Sequence, residues 1–370
     1  MRHRILLTHI TVNSGHYRAA RAIEHSIREL NPKAEILNID AFQYLNPFLA
    51  RLIDRMYLSV IKKAPEVWDY LYDNPKVVRR SQQIRELLHR YDSPRLQALM
   101  RDFNPDVVAC TQAFPCGLVS DYKREHTKNI PLYGILTDFS PHAYWVHDQV
   151  DGYVVPAETT KHWLVDHKID PKKISVFGIP IDPLFGHTPD WLSIRRRLQL
   201  DPHLPTLLMM GGGQGLGPLV EAVDDLDKIS APFQLLVVTG SNESLYHRLI
   251  KRAPSLKHPV RIFAHVDFIA DLMSVSSLII TKPGGLTTSE ALVKGLPIVA
   301  LNPIPGQEMR NANFLVSQKA GLLVKKTDHL ATVVRKLLHH PDDLKTMAQH
   351  ARRLGKPHAA ADTARLVLGL

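Results

Sequence analysis

The stretch LIITKPGGLTTSEALVKGLPIVALNPIPGQEMRNANFL, residues 278–315, decides the fold of this chain. It begins with an apolar run that is typical of a buried strand, turns at Pro-Gly-Gly, and enters a helical pattern. A second apolar run and a second helical pattern follow directly. Strand and helix alternate in this way in sheets of parallel strands, so the stretch predicts a doubly wound α/β domain.

The same alternation extends outward from this stretch in both directions. Short, continuous apolar runs indicate parallel strands that are buried on both faces. In the first half the predicted strands are Arg4–Thr8, Glu35–Ile39, Asp106–Cys110, Leu132–Thr137, Gly152–Val155 and Ile174–Phe177. In the second half they are Thr206–Met210, Gln234–Thr239, Val260–Phe263, Leu278–Thr281, Ile298–Leu301 and Gly321–Val324.

The two series of strands predict two domains in tandem. At 370 residues the chain is longer than one core usually supports. Prolines and glycines between Gly178 and Asp190 interrupt both periodicities. We predict one α/β domain over residues 1–182 and a second over residues 183–355. We expect the helix of residues 356–370 to pack back on the first domain.

The composition excludes several classes of protein. With 45% hydrophobic and 22% charged residues, it is that of an ordinary globular protein, so disorder is excluded. The two cysteines, Cys110 and Cys116, lack the spacing of a zinc site and are expected to be reduced thiols. No apolar run approaches the ~20 residues of a membrane span, so we expect a cytoplasmic protein.

The charge of the chain predicts an anionic partner. The formal net charge is +10, and residues 51–101 hold eleven Lys and Arg against six Asp and Glu. Such a basic segment suits an anionic surface, although it is equally the pattern of a solvated face.

Two polar residues follow predicted strands at their carboxyl ends, where ligands bind in open α/β sheets. A turn of small residues, Asn13-Ser14-Gly15, delivers His16 to the end of the first strand. Asp138 follows a strand in the same way. Each also has a structural interpretation, as a packed histidine or as a helix cap formed by Asp138 or Ser140.

A glycine-rich loop, GGGQGLG, follows the strand that ends at Met210. Such a loop lets backbone N–H groups approach a phosphate at the start of the next helix. The loop has neither the G-x-G-x-x-G dinucleotide fingerprint nor the Gly-Lys-Ser/Thr of a Walker A loop. It predicts a phosphate site or, on the plainer interpretation, a flexible turn.

These motifs resemble a known family. Residues 278–315 resemble the nucleotide-sugar signature of glycosyltransferase family 28, which has the GT-B fold. The segments ILTDFSPHAYWVHDQVDGYVVPAETTKHWL and VFGIPIDPLF are similar to the monogalactosyldiacylglycerol synthases and the processive diacylglycerol glucosyltransferases. NSGHYRAARAI resembles their Gly-x-Gly-His segment, with Asn13-Ser14 in place of small residues that are often glycine. The resemblance covers nearly the whole chain and implies two Rossmann-like domains facing a cleft. The domain of residues 1–182 would bind the acceptor and the membrane, and the domain of residues 183–355 would bind the UDP-sugar.

The resemblance also implies roles for individual residues. The diphosphate is bordered by glycines and the start of a helix, the ribose is held by a carboxylate, the donor sugar by polar residues, and uracil by backbone. In that order the donor residues are Gly212, Gly213, Gly284 and Gly285; Glu290; Gln307 and Glu308; His265 and Val266. Thr287 is a further predicted donor-binding residue, without an assigned part of the donor. His16 and Asp138 fall on the acceptor side.

The activity that the resemblance implies is an inverting hexosyl transfer. Glucose or galactose would pass from a UDP-sugar to diacylglycerol or a glycosylated diacylglycerol, giving a β-glycosidic bond. His16, Asp138 or the two together would act as the base. No DxD motif is present, so we expect no cofactor and no obligatory divalent cation at the donor diphosphate.

The expected partners are a UDP-sugar, a lipid acceptor and an anionic membrane surface at the inner face of the cell membrane, without nucleic acid. The predicted membrane contacts are Arg51, Arg55, Lys62, Lys63, Tyr144 and Trp145.

Two alternatives remain open at this point. A UDP-N-acetylglucosamine 2-epimerase or hydrolase of the same fold would bind a similar donor and need no lipid. A membrane-associated regulator that responds to UDP-sugar would bind the donor without turnover. The sequence leaves the choice of glucose or galactose, the lipid acceptor and the oligomeric state undecided.

Overall fold

The computed structural model describes residues 3–10, 14–45 and 94–370. These residues form two compact units. The first contains the described residues up to Pro183 together with Ile304–Gln307 and His358–Leu370. The second contains Leu184–Pro303 and Glu308–Pro357. Each unit is built on its own sheet.

The first unit holds a sheet of parallel strands in the order β2-β1-β3-β4-β5-β6. Alternate residues point to opposite faces, so Leu6 and Val108 enter one core while Ile5 and Val107 enter the other. The strands are β1 Arg4–His9, β2 Glu35–Asp40, β3 Val107–Cys110, β4 Leu132–Ile135, β5 Gly152–Val154 and β6 Ile174–Ser175.

Helices cover both faces of this sheet. Helix α14, at the end of the described chain, packs on α1 and contributes Ala364 and Val367 to the core that contains Ile5 and Ile23. The helices of the first unit are α1 Gly15–Leu30, α2 Ala41–Leu45, α3 over residues 94–103, α4 Ala113–His126, α5 Glu158–Asp166 and α14 Ala359–Leu368.

The second unit holds a sheet of parallel strands in the order β12-β11-β10-β7-β8-β9. Its strands are β7 Thr206–Met210, β8 Gln234–Val238, β9 Val260–Phe263, β10 Leu278–Thr281, β11 Ile298–Leu301 and β12 Gly321–Val324. Its helices are α6 Trp191–Arg197, α7 Leu219–Leu226, α8 Glu243–Arg252, α9 Ile269–Ser274, α10 Gly285–Val293, α11 Gln307–Ser317, α12 Leu330–His339 and α13 Pro341–Leu354.

All the strands expected from the sequence are present, and their ends differ from the predicted ones by no more than two residues. The largest differences are at β4 and β6, which end at Ile135 and Ser175 instead of Thr137 and Phe177. The prediction of two doubly wound α/β domains is confirmed. Buried parallel strands have a purely local signature, which explains the agreement.

Each sheet has one point at which the strand order reverses. In the first unit the chain leaves β1 toward β2 and later returns to the other side of β1 with β3. In the second unit it leaves β7 toward β8 and returns with β10. The crevice outside the carboxyl ends of these two strands is where open α/β sheets bind ligands. His16 follows β1, and the glycine-rich loop follows β7, so both candidate sites lie at switch points.

Within the residues that the structure describes, no helix combines the length and the apolar character needed to cross a bilayer.

Candidate active site

Ser14 fixes the turn that places His16. The Ser14 backbone is extended, and its Oγ accepts a hydrogen bond from the Tyr17 N–H at 3.2 Å. The same hydroxyl donates to the carbonyl oxygen of Ile10 at 2.7 Å. Ser14 is therefore the N-cap of α1, and His16 is the second residue of that helix. The cap explains the short hydroxyl side chain at Ser14.

The His16 ring is held by two residues from other strands. Its Nδ1 lies 2.9 Å from the carbonyl oxygen of Thr111, which follows β3, and 2.8 Å from Oγ1 of Thr137, which follows β4. A carbonyl oxygen can only accept, so Nδ1 carries the proton in the neutral ring. The other nitrogen, Nε2, then bears the lone pair and makes no hydrogen bond with the described residues.

Burial lowers the pKa of His16 to about 4, and the charge of the nearby His9 ring acts in the same direction. The hydrogen bond to Thr111 opposes this shift, because it favours the protonated ring. His16 is therefore neutral at pH 7. A neutral imidazole with Nδ1 anchored and Nε2 open can accept a proton from a substrate hydroxyl.

Asp138 lies at the same edge of the sheet of the first unit as His16. It follows β4 by three residues, is partly buried, and comes directly after the Thr137 hydroxyl that contacts His16. The two residues predicted to share the role of base therefore lie at the same edge of one sheet. The strand order β1-β3-β4 brings them there.

The glycine-rich loop of the second unit is closely packed on one side and open on the other. A Cβ on Gly215 would lie 1.9 Å from the carbonyl oxygen of Thr239, and Gly215 has φ of +57°. A Cβ on Gly212 would meet nothing within 4 Å. Asn242, which follows β8, donates from Nδ2 to the carbonyl oxygen of Gly215 at 3.1 Å. This hydrogen bond connects the loop after β8 with the glycine-rich loop. The loop therefore presents Gly212 to open space.

The Pro-Gly-Gly turn begins α10 on the neighbouring strand. Gly284 is the N-cap with an ordinary φ of −65°, and a Cβ there would also meet nothing within 4 Å. Gly284 thus leaves room beside the N–H groups of the first turn of α10. An anion at a helix N-terminus is stabilised by these N–H groups and by the helix dipole.

Glu290 lies one turn farther along α10 than Thr287 and is 1% exposed. The neighbouring Thr288 is fully buried, and Thr287 is partly buried. The deep burial of Glu290 excludes an ordinary solvated carboxylate on a helix surface, because ionised side chains are almost never buried without a partner.

Within the second unit, Glu308 and Asn311 of helix α11 contact residues at the same turn. Asn311 is fully buried and donates from Nδ2 to the carbonyl oxygen of Pro283 at 3.0 Å. Glu308 forms an ion pair with Lys282, with 3.1 Å between Oε1 of Glu308 and Nζ of Lys282. These two contacts join the start of α11 to the end of β10, so Glu308 and the Pro-Gly-Gly turn belong to one site.

His265 and Val266 follow β9 at the carboxyl edge of the same sheet. The His265 side chain is 71% exposed and stands 4.0 Å from Asp267.

Trp145 is 4% exposed and lies in the core of the first unit, where the Tyr153 hydroxyl donates to its carbonyl oxygen at 2.8 Å. Tyr144 packs against the same core. The buried indole is not available to a lipid surface, so the prediction of a membrane contact at Trp145 is wrong. The other predicted membrane contacts, at Arg51, Arg55, Lys62 and Lys63, lie outside the described residues.

Three residues of the candidate site were not predicted from the sequence: Thr111, Thr137 and Lys282. Each follows a buried parallel strand within two residues of its end. Position at the carboxyl end of a strand was therefore the signal available for all three.

Two family models together match most of the chain. Residues 16–181 match the model of monogalactosyldiacylglycerol (MGDG) synthase, and residues 206–364 match the glycosyltransferase family 28 C-terminal domain.

Full-length relatives agree with these matches. The processive diacylglycerol beta-glucosyltransferase of Bacillus subtilis (strain 168) is 28% identical over 95% of this chain and 91% of its own length. That of Bacillus cereus (strain B4264) is 29% identical over 93% of this chain and 87% of its own.

Solved structures with the same architecture confirm the GT-B fold. MurG of Acinetobacter baumannii has a TM-score of 0.66 at 14% identity, covering 99% of this chain and 100% of its own. The UDP-GlcNAc 2-epimerase of Neisseria meningitidis, bound to UDP-GlcNAc, has a TM-score of 0.64 at 15% identity with the same coverage. Anabaena Alr3699/HepE in complex with UDP-glucose has a TM-score of 0.56 at 13% identity, covering 99% of each chain.

Proposed function

This chain belongs to glycosyltransferase family 28, with an N-terminal half of the monogalactosyldiacylglycerol synthase type, and we propose that it moves glucose or galactose from a UDP-sugar to diacylglycerol or a glycosylated diacylglycerol. The single observation that carries the chemistry is the anchored His16 ring, neutral and with Nε2 open. The near full-length relatives named for diacylglycerol glucosyl transfer support the acceptor.

The acceptor hydroxyl is activated in the first unit. Its oxygen attacks C1 of the sugar while its proton passes to Nε2 of His16, or to Asp138 at the same edge of the sheet. The Nδ1–H bond to Thr111 holds the ring in the tautomer that can accept this proton. Attack on the face opposite the leaving group inverts C1, so an α-linked donor gives a β-glycoside.

The donor is held in the second unit. As the bond between C1 and the phosphate oxygen breaks, its electron pair and a negative charge remain on UDP. We assign the stabilisation of that charge to the N–H groups around Gly212, Gly213, Gly284 and Gly285 and to the N-terminus of α10. Glu290 holds the ribose, and Gln307 and Glu308 hold the sugar. This mechanism asks for no obligatory divalent cation at the diphosphate.

The place of action follows from the two substrates. Nucleotide-sugars are water-soluble, whereas diacylglycerol stays in the bilayer, so the enzyme works as a cytoplasmic protein at the inner face of the cell membrane.

Product analysis tests this function. The purified protein is incubated with UDP-glucose, UDP-galactose or UDP-N-acetylglucosamine, with and without diacylglycerol in detergent micelles. We expect a β-glycolipid and free UDP only when lipid is present. Conversion of UDP-N-acetylglucosamine without lipid would assign the chain to the epimerases or hydrolases. Binding of UDP-sugar without UDP release under any condition would make it a regulator.

A further inference from the structure

The second unit carries an exposed apolar surface that the proposed chemistry does not use. Trp191 and Leu192, adjacent at the start of α6, are 53% and 66% exposed. Leu184, in the preceding 3₁₀ turn, is 57% exposed. Single exposed apolar residues are common, but two adjacent large ones at a helix start indicate a surface that contacts something.

The rest of α6 fixes the direction in which these side chains point. Asp190 caps the helix by accepting from the Ser193 N–H at 3.2 Å. Ile194 is buried in the unit, as is Leu198 directly after the helix. Arg197, on another side of α6, forms an ion pair with Asp271 of α9.

Helical spacing places the other two arginines of α6, Arg195 and Arg196, on the same side of the helix as Trp191 and Leu192. At 100° per residue, Arg195 falls between Trp191 and Leu192, and Arg196 falls beside Leu192. Arg196 is exposed, and Arg195 is partly exposed with Nη1 donating to the Pro202 carbonyl at 3.2 Å. We call the side formed by Trp191, Leu192, Arg195 and Arg196 the α6 face.

We propose that the α6 face docks on an anionic lipid bilayer. Tryptophan prefers the headgroup level of a membrane, and arginine places its cation at the surface while its stem covers apolar area. Two cations on the face complement anionic headgroups within a Debye length. A second copy of the chain is a poorer occupant, because a twofold contact centred on this face would bring the arginines of the two copies together.

This proposal rests on the proposed function, since an enzyme whose acceptor stays in the bilayer has to reach it. The α6 face shares no residue with the basic segment of residues 51–101 or with the predicted contacts at residues 144 and 145. It places a docking element in the donor-binding half of the chain.

Vesicle binding of surface variants tests the α6 face. We compare Trp191→Ser/Leu192→Ser with the matched control Ile250→Ser/Val316→Ser, whose residues are 42% and 43% exposed in the same unit. On vesicles containing phosphatidylglycerol we expect the partition coefficient of the first variant to fall about tenfold or more, and that of the control to change less than about twofold. Equal binding of the two variants would overturn the proposal.

The charges are tested separately. Arg195→Glu/Arg196→Glu should lose most of the preference for phosphatidylglycerol over phosphatidylcholine vesicles, whereas Arg335→Glu/Arg353→Glu, exposed in the same unit, should lose about half as much or less. Brominated lipids should quench part of the tryptophan emission of the wild-type protein. That part of the quenching should be absent in Trp191→Phe. Quenching that is unchanged in Trp191→Phe contradicts insertion of this side chain.

Two further measurements separate the alternatives. If light scattering shows that Trp191→Ser/Leu192→Ser turns a dimer into a monomer while vesicle binding holds, the face belongs to a second copy and the membrane proposal is overturned. Glycosyl transfer in detergent micelles should be unchanged in the variant, with an unchanged melting temperature. Absence of transfer by the wild-type chain in micelles would instead contradict the proposed function.

Discussion

The Nδ1 atom of His16 lies 2.9 Å from the carbonyl oxygen of Thr111, a residue 95 positions farther along the chain. This one contact determines which ring nitrogen carries the proton, and hence which nitrogen is able to accept one. Thr111 also donates from Oγ1 to the carbonyl oxygen of His16 at 2.9 Å. The two residues therefore fix both the backbone and the ring at the start of α1.

Replacing His16 should separate binding from turnover. We expect His16→Asn to retain UDP affinity and to lower kcat by about 10² to 10⁴, the usual contribution of a positioned base. Calorimetry with UDP and initial rates with saturating donor measure the two effects. Thr137→Val is the control, because it removes one hydrogen-bond acceptor from Nδ1 without removing Nε2, and its effect should be much smaller. If His16→Asn stays active while Asp138→Asn does not, Asp138 is the base.

The pH profile should show the lowered pKa of His16. Since the ring loses its proton with a pKa of about 4, the acidic limb of kcat/KM should extend well below the ordinary histidine value of 6.5. Stability should change with pH in the matching direction. The unfolded chain takes up the proton near pH 6.5 and the folded chain only near 4, so folding free energy is lost as the pH falls between these values.

His16→Asn is the control for this stability effect, because it removes the titrating group. Urea unfolding at pH 7 and pH 5 should show a smaller loss of stability in the variant than in the wild type. Equal losses would show that other groups govern the acid sensitivity.

Glu290→Gln should weaken donor binding while keeping the fold. The side chain is 1% exposed, so alanine would leave a cavity, whereas glutamine preserves the volume. Losing charge-assisted hydrogen bonds to the ribose should raise the Kd for UDP roughly tenfold to a hundredfold. Unchanged UDP affinity by calorimetry, with an unchanged melting temperature, would remove Glu290 from the donor site.

Two glycine substitutions should have opposite consequences. Gly215→Ala puts a Cβ 1.9 Å from the Thr239 carbonyl oxygen at a positive φ, so it should lower the melting temperature by several degrees. Gly284→Ala meets nothing within 4 Å at an ordinary φ, so the fold should be unaffected. If Gly284 borders the diphosphate, Gly284→Ala should still weaken UDP binding, and unchanged affinity would argue against that role.

Lys282→Met should affect the donor sugar more than the nucleotide. The Lys282 and Glu308 side chains are only 13% and 22% exposed, so the change leaves a carboxylate poorly solvated and without this cation. We expect the KM for UDP-sugar to rise about tenfold, with a smaller change in the Kd for UDP. Lys282→Arg should restore part of the loss. Equal effects on UDP and UDP-sugar would place Lys282 at the diphosphate instead of the sugar.

The sequence by itself determined the strands, the glycine-rich turns and the helix starts. Each of these depends on neighbours in the chain: the continuous apolar runs of β7 and β10, the small residues before α1, and the glycines after each strand. Local patterns of this kind do not depend on the order in which strands lie in the sheet. The family resemblance added expected roles of individual residues only where a motif in this chain matched one in the family.

Tertiary structure alone decided which distant residues meet. Thr111 and Thr137 contact His16 only because β3 and β4 are the next two strands after β1 in the sheet. Lys282 contacts Glu308 only because α11 starts next to the end of β10. The same is true of exposure. Trp145 and Trp191 are both tryptophans near polar loops, yet one is 4% and the other 53% exposed. Burial depends on what the rest of the chain packs against each side chain, and the local sequence does not contain that information.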